Sequence, residues 1–398
     1  MYLDIIHAKL RMVMGSKKKS WYNMILDELG RYRKMDFTFA SGRILGSMCT
    51  EPFSIAKKAY RYFLETNLGD PDLFPGSKKV ETLYLSFVLD LLNAPDTAGG
   101  VVSSGGTESN ITAVWLAKKL SGKKKVIVSE GVHFSFQKIA SLMDVELVVV
   151  PLTKRYCIDV SMVRDKIDDD VAMVVGVAGS TELGMVDPIQ ELSDICSERN
   201  VFLHVDAAFG GYVIPFLREL GYSVRDFDFK FKGVSSISID AHKMGCSAIP
   251  MGTLVVREKK WLEDISVESH CVSGKKQAGL LGTRSAGPVA AAYAVTRYLG
   301  WEGYKKIVKK CMNNTLYLME KIENIGLNVV VEPCMNVLGV KLKKPYNVAE
   351  KLTDHGWKVN IIDKISSIRI VVMPHVTKKV IDEFIPVLKK VCKEEGEI

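Results

Sequence analysis

The chain has 398 residues, 47% hydrophobic and 25% charged, with 54 basic side chains against 46 acidic ones and a net charge of +8. That balance excludes a disordered chain, a collagen-like chain and a disulfide-stapled mini-protein, and the length calls for more than one core. No apolar run approaches the ~20 residues that cross a bilayer. The basic residues come in short bursts (Lys17–Lys19, Lys123–Lys125, Lys275–Lys276) without interleaved aromatics, so neither nucleic acid nor membrane is an expected partner.

Along the chain, Met1–Trp21 carries its charge after its apolar part, the reverse of a signal peptide, and a cytoplasmic protein is expected. Trp21–Met35 reads as a helix, followed by an irregular stretch, Ala40–Thr50. Asn67–Gly76, with two Pro, two Gly and two Asp, reads as a turn. Helix is expected at Val80–Leu92, Thr107–Leu120, Phe134–Met143, Met162–Ile167 and Gln190–Glu198. Strand is expected at Lys125–Ser129, Leu147–Pro151, Val171–Ala178, Val201–Val205, Ser235–Asp240 and Gly252–Val256. Several strands are unbroken apolar runs, Leu147–Leu152 among them, as in a parallel sheet covered on both faces. The fold class is therefore α/β with a mostly parallel sheet.

Beyond residue 287 the texture becomes that of a smaller α+β unit. It has helices at Pro288–Tyr298, Tyr304–Ile325, Val348–His355 and Lys378–Cys392. Its strands fall near Val329–Glu332, Val337–Val340 and Ser367–Met373. The expected organisation is an N-terminal helical segment (1–50), a large domain (51–287) and a small C-terminal domain (288–398).

The eight cysteines contain no C-x-x-C pair and the seven histidines no H-x-x-x-H pair, so no protein-built metal site is expected. Chemistry is instead expected at strand ends and helix starts, where open α/β sheets place ligands. Gly105-Gly106-Thr107 opens a helix and suits a phosphate, although a simple N-cap would look the same. Asp206, followed by Ala207 and Ala208, ends an apolar strand and calls for a cationic or hydrogen-bonding partner. Lys243, beside His242, ends a period-2 strand, and lysine is the side chain for Schiff-base chemistry. His133 precedes a helix and could stack on a ring or merely cap. Thr181 lies in a strand-end turn of hydroxyls and glycines. Phosphate cradle, stacking base, ring carboxylate and Schiff-base lysine in this order are the parts that pyridoxal phosphate requires.

These stretches carry a resemblance. GSMCT (46–50), ETNLGDPDLFPG (65–76), SGGTESN (104–110), HFSFQK (133–138), GSTELGMVDPI (179–189), HVDAAFGG (204–211), DAHKMG (240–245), LGTR (281–284) and RIVVMPH (369–375) are the matching segments. Over residues 30–390 the chain resembles the group II pyridoxal-phosphate-dependent decarboxylases of fold type I. Within that group it looks most like the archaeal L-tyrosine/L-aspartate decarboxylases of methanofuran and coenzyme A synthesis. A second likeness, in FDFKFKGVSSISIDAHK (227–243), is to the sphingosine-1-phosphate lyases.

The resemblance implies a seven-stranded large-domain sheet and a homodimer that removes the α-carboxylate of an L-amino acid, tyrosine or aspartate. Cleavage of Cα–Cβ in a phosphorylated amino alcohol is the alternative. Lys243 would hold the cofactor, Asp206 its ring nitrogen, and Gly106, Thr107 and His242 its phosphate. His133 and Ala208 would flank the ring beside Thr181. Gly282 and Thr283 would reach the neighbouring subunit's phosphate, and Arg369 would receive a substrate carboxylate. The family's loop tyrosine is missing from Val267–Gln277, where Cys271 stands about in its place. His270 beside it becomes the expected proton donor to the substrate carbon.

Overall fold

The computed structural model describes residues 18–268, 270 and 276–398. Helices α1 (Lys18–Arg33), α2 (Ser54–Tyr62) and α3 (Pro75–Leu91) come first. Strand and helix then alternate through β1 (Gly99–Ser103), α4 (Gly106–Ser121), β2 (Lys125–Ser129), α5 (Ser135–Met143), β3 (Glu146–Val150), α6 (Val160–Lys166), β4 (Val171–Val177), α7 (Ile189–Arg199) and β5 (Phe202–Asp206). After α8 (Ile214–Glu219) come β6 (Val234–Asp240), β7 (Gly252–Val256) and α9 (Lys260–Asp264). A short ribbon, β8 (Val267–Glu268) with β9 (Lys276–Gln277), follows. The C-terminal part holds α10 (Gly287–Asn324), β10 (Asn328–Val329), β11 (Val337–Lys341), α11 (Pro345–Asp354), β12 (Asn360–Ile362), β13 (Ser367–Val371) and α12 (Lys378–Glu395).

The large sheet has seven strands in the order β1-β7-β6-β5-β4-β2-β3. Six run parallel, and β7 runs against both of its neighbours. Every residue of β4 and β6 is buried, as expected of central strands covered on both faces. The ends of β1, β5 and β6 meet the start of β7 along one edge: Ser103 and Asp240 both pair with Gly252, and Asp206 pairs with Ser238. The second sheet, β10-β11-β13-β12, is antiparallel. Residues 44–46 lie along it: Ile44 bridges Lys358, and the Val371 N–H donates to the Leu45 carbonyl at 2.7 Å.

Several expectations need correction. Leu147–Leu152 is not a buried strand. Among the described residues β3 is the sheet edge, pairs only with β2, and leaves Val149 54% exposed. The turn read at Asn67–Gly76 ends early, because Pro75 opens α3. Proline suits a first helical turn, where its missing N–H is not needed. The two helices read after residue 287 are two arms of α10, broken at Gly300 (φ 55°, ψ −170°), a conformation glycine adopts without strain. Strands β1 and β12 carry no clear strand signal, with Gly99-Gly100 and Asn360 at their starts.

Ile237 is fully buried in β6. Ile237→Ala should lower unfolding stability by about 3 kcal/mol, read as a lower urea midpoint at unchanged slope. A loss below about 1 kcal/mol would mean that β6 is not at the centre of the core.

Candidate active site

The strand ends and the start of α4 enclose a cavity of about 420 Å³. Ser104, Gly105, Gly106, Thr107, His133, Thr181, Asp206, Ala208, His242 and Lys243 line it, together with Met48, Asn110, Phe134, Phe209 and Asp240. Eight of the sequence candidates thus converge: Gly106, Thr107, His133, Thr181, Asp206, Ala208, His242 and Lys243. Its size is that of a small-molecule site.

Asp206 is 7% exposed and held by three neutral donors. Asn110 Nδ2 reaches its Oδ2 at 2.8 Å, while the Ala208 N–H and Ser238 Oγ reach Oδ1 at 3.1 and 3.3 Å. Because a carboxylate only accepts, Asn110 must turn its amide nitrogen to Asp206 and its oxygen to His204. His204 Nε2 lies 3.0 Å from that oxygen and therefore carries the proton. Nδ1, 2.8 Å from Ser236 Oγ, then accepts. The result is a buried file, Ser236 to His204 to Asn110 to Asp206, donating in one direction.

Helix α4 begins at Gly106, and among the described residues no side chain caps its N-terminus. Unpaired first-turn amides and the helix dipole favour an anion there. A Cβ at Gly105 (φ +150°) would come within 3.0 Å of His242 Cε1. One at Gly106 would lie 3.1 Å from the Ala208 Cβ, so glycine keeps this cradle open. His242 is pinned by Met251: its Nδ1 lies 2.8 Å from that residue's carbonyl and 3.1 Å from its amide.

Lys243 follows β6 in a tight turn, its N–H donating to the Asp240 carbonyl at 3.3 Å. Its Nζ lies 3.1 Å from Asp240 Oδ2. Burial pulls the Lys243 pKa down, but Asp240 and Asp206 outweigh it and hold the ammonium above its ordinary range. Burial is the main cause that lowers the His133 pKa, so that imidazole is neutral at neutral pH.

The remaining candidates lie apart. Arg369 is 8% exposed and is not among the residues lining the cavity; Nη1 donates to the Thr181 carbonyl and Nη2 to the Gly46 carbonyl, both at 2.6 Å. Gly282 and Thr283 are exposed outside the cavity. The Gly282 carbonyl packs against Gly69 closely enough to stand 2.4 Å from a Cβ placed there. His270 is exposed between β8 and β9 and away from the lining; Cys271 lies outside the described residues. Asn110 and Asp240 were not singled out from sequence. The available signal was a polar side chain one turn after Gly106, and a carboxylate three residues before Lys243.

Residues 64–343 match the pyridoxal-dependent decarboxylase conserved domain. The chain belongs to this decarboxylase family. It is 41% identical over 385 residues to the L-tyrosine/L-aspartate decarboxylase of Methanocaldococcus jannaschii, covering 93% of this chain and 97% of that protein. It is 44% identical over 372 residues to the L-aspartate/L-glutamate decarboxylase of Pyrococcus horikoshii, covering 92% and 96%. Among solved structures, the Burkholderia pseudomallei sphingosine-1-phosphate lyase superposes with a TM-score of 0.86 at 27% identity, covering 96% of this chain and 92% of that one. The cofactor of the family is pyridoxal phosphate, and the donor set fits it: an uncapped helix start for an anion, a buried anionic carboxylate for a protonated ring nitrogen, and one lysine for the aldehyde.

The His204 pKa is driven down to about 4 by burial. An unfolded histidine takes its proton near pH ~6.5, so as pH falls the unfolded state binds the proton first. The stability due to His204 is therefore whole above that value and is lost as pH falls towards about 4. NMR of the imidazole should show His204 neutral until the pH nears 4; titration near ~6.5 would contradict the buried file.

Proposed function

We propose that this decarboxylase removes the α-carboxylate of L-aspartate or L-tyrosine in the cavity that Lys243 and Asp206 share. The observation that carries the reading is that convergence: amine, ring-type carboxylate and anion cradle open into one space. The substrates of the two archaeal relatives support the choice of amino acid. Breaking a Cα–Cβ bond is the second reading, favoured by the likeness to the Burkholderia lyase and weakened by the higher identity to decarboxylases.

Bound pyridoxal phosphate supplies an aldehyde for an amine and a ring that accepts the electron pair left when CO2 departs. The chain's own residues do the rest. Gly106 and Thr107 offer amides and a hydroxyl to the phosphate, with His242 beside them. Asp206, held by the Asn110, Ala208 and Ser238 donors, would face the ring nitrogen and favour a proton there. Ala208, the neutral His133 and Thr181, which line the cavity, would hold the ring. Arg369 is our candidate for the substrate carboxylate, because its Nη1 donates to the carbonyl of Thr181, which lines the cavity. His270 is our candidate for returning a proton to the substrate carbon, since an imidazole can both give and take a proton.

A homodimer is part of the proposal. Tyr22, Ile25, Leu29 and Tyr32 repeat at helical spacing on α1 and are 66%, 52%, 56% and 57% exposed. A second copy would cover this face and bring Gly282 and Thr283 to the other subunit's phosphate.

The test is a panel of L-aspartate, L-tyrosine, L-glutamate and L-cysteate with CO2 and amine measured. Aspartate or tyrosine should turn over fastest. CO2 from neither, with aldehyde released from a phosphorylated amino alcohol, would favour the lyase. Asp206→Asn should lower kcat by several orders of magnitude and change cofactor affinity far less. An equal loss of both would make Asp206 a binding residue only.

A further inference from the structure

Asp240 is the most buried charged group at the cavity, 1% exposed, and the family reading leaves it without work. It ends β6, three residues before Lys243, and the turn between them folds the lysine back over it. Its Oδ2 lies 3.1 Å from Lys243 Nζ and 3.7 Å from His242 Nε2. Its Oδ1 has no hydrogen-bond partner among the described residues. That oxygen faces Gly252, where a Cβ would stand 2.6 Å away.

A buried carboxylate needs hydrogen-bond donors or a counter-charge, and Asp240, unlike Asp206, has an oxygen that no donor reaches among the described residues. The titratable groups around it narrow the choice. Burial pushes the Cys49 thiol up to about 11 and the Tyr84 phenol up to about 12, and it raises the Tyr212 phenol well above its usual range, so all three are neutral at pH 7. Burial also keeps His133 neutral, and Asp206 adds a second negative charge near Lys243. The Lys243 ammonium remains as the close cation, with His242 at the longer distance.

We infer that Asp240 is a positioning residue: it anchors the Lys243 amine in the cavity as an ion pair and takes the ammonium's proton when that amine is freed to react. An ammonium has no lone pair, so its proton must leave before the nitrogen can attack a carbonyl carbon. Transfer from Nζ to Oδ2 turns an ion pair into a neutral pair, with no other reactant and no net change of charge. The inference rests on the reading of Lys243 as the amine that carries the cofactor.

The test uses the full chain stripped of pyridoxal phosphate. Competitive acylation across pH, followed by peptide mass spectrometry, gives the half-point of Lys243 against exposed Lys389. Half-points, unlike rates, do not depend on access. In the wild type Lys243 should titrate above Lys389. Asp240→Asn should move Lys243 down by about one pH unit or more, because burial then opposes a weaker field. A wild-type half-point at or below that of Lys389, or one unmoved in Asp240→Asn, overturns the inference. If the variant does not fold, the wild-type comparison decides alone. Borohydride reduction of the reloaded wild type separates the two claims: cofactor fixed elsewhere than on Lys243 would sink the reading of Lys243, while the half-points still judge the ion pair.

Discussion

A negative charge is kept inside this protein by neutral donors. Asp206 is nearly buried, yet Asn110, the Ala208 amide and the Ser238 hydroxyl all donate to it. Such donors satisfy the oxygens of a carboxylate without supplying a counter-charge, so a cation entering the cavity would find one. His204 enforces the arrangement. Its neutral imidazole orients Asn110, and Asn110 spends its amide nitrogen on Asp206. Reversing any member of the file would set two acceptors face to face.

The sheet makes the file possible. Asp206 pairs with Ser238 and His204 with Ser236 in the β5–β6 register, so the carboxylate and the imidazole each find a hydroxyl on the next strand. Asn110 comes from α4, one turn after the glycines of its start. The helix whose first-turn amides are free for an anion therefore also fixes the carboxylate that we propose for a ring nitrogen. On the proposed reading one rigid element would set both ends of a flat, phosphate-bearing cofactor, and pre-organisation of this kind spares a site from ordering itself on binding.

What was legible in the sequence was local. β4 and β6 declared themselves because buried central strands are apolar or strictly periodic. The Gly-Gly-Thr, Asp-Ala-Ala and His-Lys segments stood out because they sit where strands end. What required the fold was pairing across it. β7 runs against its neighbours, and a short strand holds no sign of direction. β3 looks as apolar as a central strand and is an edge. Asn110 and Asp240 look like ordinary helix and strand-end polar residues until Asp206 and Lys243 arrive beside them. Arg369, singled out for a carboxylate, spends two of its nitrogens on the carbonyls of Gly46 and Thr181. Neither carbonyl is identifiable from the sequence around Arg369.

The central claim is that the buried carboxylate exists to hold a cation on the cofactor ring. The most direct measurement is the nitrogen NMR shift of ring-labelled pyridoxal phosphate bound to the wild-type enzyme. The account predicts a protonated ring nitrogen throughout the neutral pH range. An unprotonated nitrogen at pH 7 would contradict it, and would leave Asp206 and its file of donors without the role argued for them.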